Sequence, residues 1–141
     1  MSFLLDTNVV SEPLKPKPNA DVIRWLSLAD EDRLFMSVVT LAEIRTGVER
    51  LAAGARRRRL EEWLGDELPQ RFEGRILAID PVVADACGRV VARCQDLGRP
   101  IEAMDAFIAA TAEVHRLTLV TRDVSDFHPA LKSVLNPWTQ P

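Results

Sequence analysis

Short apolar runs alternate along this chain with longer stretches whose apolar residues recur at helical spacing. The short runs cover residues 2–6, 33–37, 75–79, 117–121 and 133–136, and they read as strands. The segments between them read as helices. Such alternation predicts a parallel sheet covered by helices on both faces and joined by right-handed crossovers. Residues 13–18 hold three prolines and predict an extended loop. A helix then starts near Asn19, with Val22, Ile23, Leu26 and Leu28 on it. The stretch 38–51 carries Val38, Leu41, Ala42, Val48 and Leu51 at helical intervals, and Gly54 reads as its stop signal. A second helix over 55–68 follows at once, so the two form a helical hairpin. Asp80-Pro81 reads as an N-cap followed by proline at the first helical position, opening a helix that runs to about Gly98. A further helix covers 100–115. Neither an internal repeat nor a low-complexity tail interrupts this order, and residues 1–141 read as one domain.

Four carboxylates break the pattern. Asp6 ends the run Phe3-Leu4-Leu5, and Asp123 follows Thr118-Leu119-Val120-Thr121. In an open parallel sheet, ligands bind outside the carboxyl ends of the strands, where strand order reverses. Both residues are expected on that edge, although each can also serve as a cap for the next helix. Asp105 lies within a helical apolar stripe. At about 100° per residue, Ile101, Ile108, Ala109 and Ala112 lie on its side of the helix, so it faces where the helix packs. Its alternative role is a carboxylate favoured by the helix dipole. Glu43 has a competing structural explanation, since Thr40-Leu41-Ala42-Glu43 has capping-box spacing. That reading still places it at a helix N-terminus beside the same edge. Asp80 is assigned to capping alone. Asn8, Thr121 and Asp126 are polar neighbours able to orient the carboxylates or to finish turns.

Composition narrows the classes. The chain has 141 residues, 47% of them apolar, enough to bury a real core. Its net charge of −3 argues against coating nucleic acid by bulk charge, while leaving room for a local grip on RNA. No apolar run approaches a membrane span, and the start runs directly into Phe3-Leu4-Leu5-Asp6 without signal-peptide features. The expected location is therefore the cytoplasm. Cys87 and Cys94 are about 10 Å apart along a helix, too far for a disulfide between them, and are assigned to packing. Buried, mutually repelling carboxylates are costly, and a hard divalent cation such as Mg²⁺ or Mn²⁺ would offset that cost.

The motifs Leu4-Leu5-Asp6-Thr7-Asn8, Ser37-Val38-Val39-Thr40-Leu41-Ala42-Glu43 with Gly47, Met104-Asp105-Ala106-Phe107-Ile108-Ala109-Ala110-Thr111-Ala112, and Leu119-Val120-Thr121-Arg122-Asp123 with Asp126-Phe127 together resemble the PIN domain. Within it, the chain is similar to the VapC-type toxins, including the FitB-like branch. The resemblance covers nearly the whole chain. It implies a three-layer α/β/α sandwich with a mostly parallel five-stranded sheet in the order 3-2-1-4-5. It also implies metal-binding, catalytic acids at Asp6, Glu43, Asp105 and Asp123, with Asn8, Thr121 and Asp126 beside them. The expected partners are an RNA substrate, a small VapB-like antitoxin and a second copy of the chain, with the option of a larger complex with antitoxin on operator DNA.

The expected chemistry is hydrolysis of an RNA phosphodiester by metal-activated water, leaving a 5′-phosphate and a 3′-hydroxyl. His115 and His128 lie outside the acid motifs, so a histidine-pair ribonuclease is not expected. Arg45, Arg50 and Arg122 are candidate RNA contacts. The run Arg56 to Arg59 reads as a solvated helix start paired with Glu61 and Glu62, and Leu60, Trp63 and Leu64 can line a groove for a partner helix or simply pack. Trp25 and Trp138 are assigned to packing. Open alternatives are a catalytically idle interaction module of the same fold and a stand-alone RNA-processing nuclease. A haloacid-dehalogenase-type phosphatase is disfavoured because Asn8 stands where a second acid belongs, and a receiver domain because it leaves Asp105 unexplained.

Overall fold

The computed structural model describes residues 1–139. Five short strands, β1 (Phe3–Leu5), β2 (Leu34–Ser37), β3 (Ile76–Leu77), β4 (Thr118–Val120) and β5 (Val134–Leu135), form one sheet in the order β3-β2-β1-β4-β5. All four pairings are parallel, with Phe3 opposite both Leu34 and Thr118. The order reverses at β1, whose neighbour β4 arrives only after two crossovers on the other side. Successive strand residues point to opposite faces. Leu4 and Leu119 accordingly enter one core, and Leu5 and Val120 the other. Strands buried on both faces need continuous apolar runs, which is why these are so short and so apolar.

Among the described residues eight α-helices cover the two faces: α1 (Thr7–Ser11), α2 (Ala20–Leu28), α3 (Val38–Glu49), α4 (Ala55–Glu62), α5 (Leu68–Arg71), α6 (Pro81–Asp96), α7 (Ala103–His115) and α8 (Val124–Phe127). The first core gathers α6 and α7 through Val83, Val90, Cys94, Ile108 and Ala109, and small residues on α7 let the two helices approach closely. The second core packs α2, α3 and the hairpin through Val22, Ile44, Val48, Leu68 and Phe72. The guanidinium groups of Arg71 and Arg75 lie 4.8 and 5.1 Å from the Phe72 ring centroid. Trp25 packs edge-on against Phe3, with centroids 5.0 Å apart.

Several local expectations change. A short helix, α1, fills the start of the first connection, followed by a 3₁₀ turn over Glu12–Leu14 before the proline-rich loop. The Thr40–Glu43 capping box does not form. Ser37 is the N-cap, its Oγ accepting from Val39 N at 3.0 Å. The helix therefore begins three residues earlier than that box would start it, and the buried Thr40 hydroxyl has no hydrogen-bond partner among the described residues. The helix expected over 55–68 is broken by a π-helical turn at Trp63–Glu67 and resumes as α5. Asp80 caps α6 as read, with Oδ1 accepting from Val83 N at 2.9 Å. At the other end of α6, Gly98 takes φ 68°, and Arg99 N reaches back to Cys94 O at 2.9 Å, the bonding of a Schellman stop. Cys87 and Cys94 are buried free thiols. Among the described residues no helix is long and apolar enough to cross a membrane.

Candidate active site

The carboxyl edge of β1 and β4 places Asp6 and Thr121 side by side. Asp6 N donates to Val120 O at 2.9 Å, continuing the ladder one residue past the strand. The Asp6 side chain is only 6% exposed. Its Oδ1 accepts from Thr7 N at 2.8 Å, so it does cap α1. Its Oδ2 accepts from the buried Thr121 hydroxyl at 2.7 Å. One carboxylate therefore caps α1 with one oxygen and meets the end of β4 with the other.

The same hydroxyl of Thr121 accepts from Asp123 N at 3.0 Å, which fixes the backbone just beyond β4. Asn8 closes the loop from the other side: its Nδ2 donates to Asp123 Oδ2 at 3.1 Å, and its Oδ1 accepts from Arg122 N at 3.3 Å. Glu43 sits in the second turn of α3, where Thr7 Oγ1 donates to its Oε1 at 2.6 Å. Asp105 sits in the first turn of α7, half-buried beside the fully buried Ala106 and Ala109. Thr7 was not singled out from the sequence. A threonine after a strand-end aspartate reads as turn chemistry, and only the fold shows that it joins its neighbour Asp6 to Glu43, 36 residues further on than Thr7 itself.

Electrostatics show that the acids share one region. Burial pushes the Asp6 carboxyl up, bonds from Thr121 and Thr7 pull it down, and the charges of Glu43 and Asp123 push it up again. Asp105 is pushed up to about 6, first by burial and then by the negative charges of Asp6, Glu43, Glu102 and Asp126. Asp126 is exposed on α8 and acts on the site through its charge on Asp105. Glu102, also absent from the sequence reading of the site, does the same.

Among the described residues no three His, Cys, Asp or Glu side chains form a ready ligand cluster. The donor set is nonetheless all hard oxygen, and its members hold one another's charge at a cost that a cation relieves. That combination fits an ion such as Mg²⁺, which keeps several waters and takes only one or two carboxylates directly. Asp6, Glu43, Asp105 and Asp123 are the residues available to hold it.

The basic candidates are differently placed. Arg122 stacks over the Trp138 ring at 5.5 Å from its centroid, and the buried Glu12 carboxylate lies near enough to feel its charge. Arg45 is exposed and pairs with Glu49 at 3.8 Å, while Arg50 is exposed at the end of α3. Arg57 is occupied structurally, bonded to Glu61, Glu49 and Leu51 O. A cavity of about 290 Å³ opens between α1 and the hairpin, lined by Leu14, Leu51, Arg56, Leu60 and Trp63, and it reaches Thr7 and Glu43. Leu64 is buried in the core instead.

Residues 3–128 match the PIN domain. The chain is 42% identical to Toxin FitB of Neisseria gonorrhoeae over 136 residues, covering 96% of this chain and 98% of that protein. It is 35% identical to VapC ribonuclease Y4jK of Sinorhizobium fredii, covering 96% and 97%. A crystal structure of FitAcB from Neisseria gonorrhoeae superposes with a TM-score of 0.93 at 41% identity, covering 98% of this chain and 99% of that one. A structure of FitAB bound to an IR36 DNA fragment gives the same TM-score at 40% identity, covering 99% and 97%.

Proposed function

Since the chain belongs to the PIN-domain family, we propose that it is a metal-dependent endoribonuclease and the toxin of a toxin–antitoxin pair, acting in the cytoplasm. The observation that carries this reading is the charge coupling of acids from four separate elements, above all the Asp105 carboxyl raised to about 6 beside Asp6 and Glu43. Isolated surface carboxylates do not behave so.

Bound Mg²⁺ or Mn²⁺ would supply an activated water and offset charge on the phosphate being attacked. The chain's own part is to present oxygens in fixed directions. Thr121 and the Thr7 amide hold both oxygens of Asp6, so its remaining lone pairs face a defined point. The Thr7 hydroxyl turns Glu43 toward the same region, and Asn8 holds Asp123. Asp105 enters from the opposite layer on α7. With water as nucleophile, the products are a 5′-phosphate and a 3′-hydroxyl.

The relatives point to the partner. The cavity of about 290 Å³ beside the hairpin runs from an apolar wall at Leu60 and Trp63 to Glu43. An apolar antitoxin segment seated there reaches the acids and blocks the site. A homodimer, and a larger assembly with antitoxin on operator DNA, belong to the same reading. Cleavage of single-stranded RNA should stop in EDTA and return with Mg²⁺ or Mn²⁺, and Asp6→Asn should abolish it while leaving a folded protein. Cleavage that survives exhaustive chelation, or full activity in Asp6→Asn, would overturn the mechanism.

A further inference from the structure

A second concavity lies at the opposite end of α7 from Asp105. It is a cavity of about 670 Å³ enclosed by the end of α7, the start of β4 and residues 128–133. Its floor is apolar, from Ala112, Leu117, Ala130 and Leu131. Thr118 Oγ1 and Ser133 Oγ, 2.7 Å apart, add a hydroxyl pair that retains one O–H for a ligand. The rim carries Arg93, Arg116, His128 and Lys132 against a single acid, Glu113. That acid is engaged: Arg93 Nη2 donates to Glu113 Oε1 at 3.1 Å and to Ala130 O at 2.8 Å. Arg116 and Lys132 have no ion-pair partner among the described residues.

Arg116 is also the only non-glycine residue at positive φ among the described residues, at φ 55° and ψ 46°. This is the left-handed position after a helix, where glycine is the low-energy choice. A backbone outlier that carries an unpaired cation to a cavity rim points to a ligand. In a chain of net charge −3, so positive a cavity selects an anion.

We propose that this cavity binds phosphates of the RNA strand a few nucleotides from the bond being cut. The proposal rests on the ribonuclease reading above and goes beyond it by naming where the strand is anchored. Along α7 the separation from Asp105 to Glu113 is about 12 Å. A cavity of about 530 Å³ lined by Arg99, Ile101, Asp105, Asp126 and Pro129 lies at the near end of that stretch, and Pro129 lines both cavities. A strand leaving the acids therefore has only to pass Pro129 to reach the cations.

The test uses the full chain in EDTA, so that binding is read without cleavage, with end-labelled uridylate oligomers of two lengths. The short one covers only the acidic site, and the long one reaches the cavity. The variant is Arg116→Gly with Lys132→Gln. Glycine suits the Arg116 backbone, so this protein should melt no lower than the wild type. For the long oligomer, the slope of log affinity against log salt should fall by about 1.4, the single-strand value for two lost phosphate contacts. The short oligomer, read by its cleavage with Mg²⁺ because the metal-free acids repel it, should be cut at an unchanged rate. An unaltered slope for the long oligomer, in a variant that still cleaves, would overturn the cavity assignment alone. So would equal losses for both lengths, which would mean a general field or a free-anion site. A change of solution mass in the variant would reassign the surface to a second copy. If the wild-type protein neither binds nor cleaves RNA with Mg²⁺, the ribonuclease reading fails first.

Discussion

Asp105 shows what it costs to place one more carboxylate among others. Its carboxyl is pushed up to about 6 by burial and by Asp6 and Glu43, whereas an unfolded aspartate titrates near 4. The folded state thus prefers the protonated form. The stability tied to this group is fully present below pH 4 and is lost as pH rises through about 6. Metal-free Asp105→Asn should therefore melt higher than the wild type at pH 7.5, by about 1 kcal/mol after allowing for solvent screening of a half-exposed group. The gap should close toward pH 5. Thermal melts of both proteins at the two pH values check this, and a gap independent of pH would mean that the charge is not strained. That these four acids come near enough to act on one another's charge was legible in the sequence, because each breaks an apolar pattern. Thr7 and Glu102 were not, since their neighbours in the chain explain them fully and their partners lie elsewhere.

At the level of elements, the sequence locates centres better than ends. All five strands fall inside the runs read for them, but each is shorter, because only the central residues pair with neighbours. Capping signals decided correctly where they stood alone. Asp80 bonds Val83 N, so Asp80→Ala should lower stability by about 1 kcal/mol, a fall in melting temperature of about 3–4 °C, with cleavage unchanged. An unchanged melting temperature would remove the cap from the account. The capping box offered as an alternative explanation of Glu43 does not form. Ser37 ends β2 and takes the helix start from Thr40, a contest settled by where the sheet lets the backbone turn. The π turn at Trp63–Glu67 left no signal, because it accommodates packing of Leu64 and Leu68 on a core built by distant residues.

For the molecule as a whole, strand order came from family resemblance, and alternation alone allowed other orders. The sheet order in turn explains the site, since only the reversal at β1 brings Asp6 beside Thr121 across 115 residues. It also sets the groove beside the hairpin against Thr7 and Glu43. The product of the open reading frame next to this gene should bind the chain and inhibit cleavage, and Trp63→Ala should weaken inhibition without lowering activity of the free enzyme. Equal inhibition of Trp63→Ala would place the antitoxin on another surface.

The hairpin that walls this groove is bolted at both ends. Arg57 ties α4 to the end of α3 through Glu49 and Leu51 O. Arg75 ties the far end to the sheet through Glu31 O at 2.6 Å and Leu34 O at 2.5 Å, with Arg71 on the Glu31 carboxylate. A visitor thus finds its slot already cut. Little ordering entropy is lost on docking, so inhibition should be quick to set in, and its persistence should depend on how slowly the guest peels away.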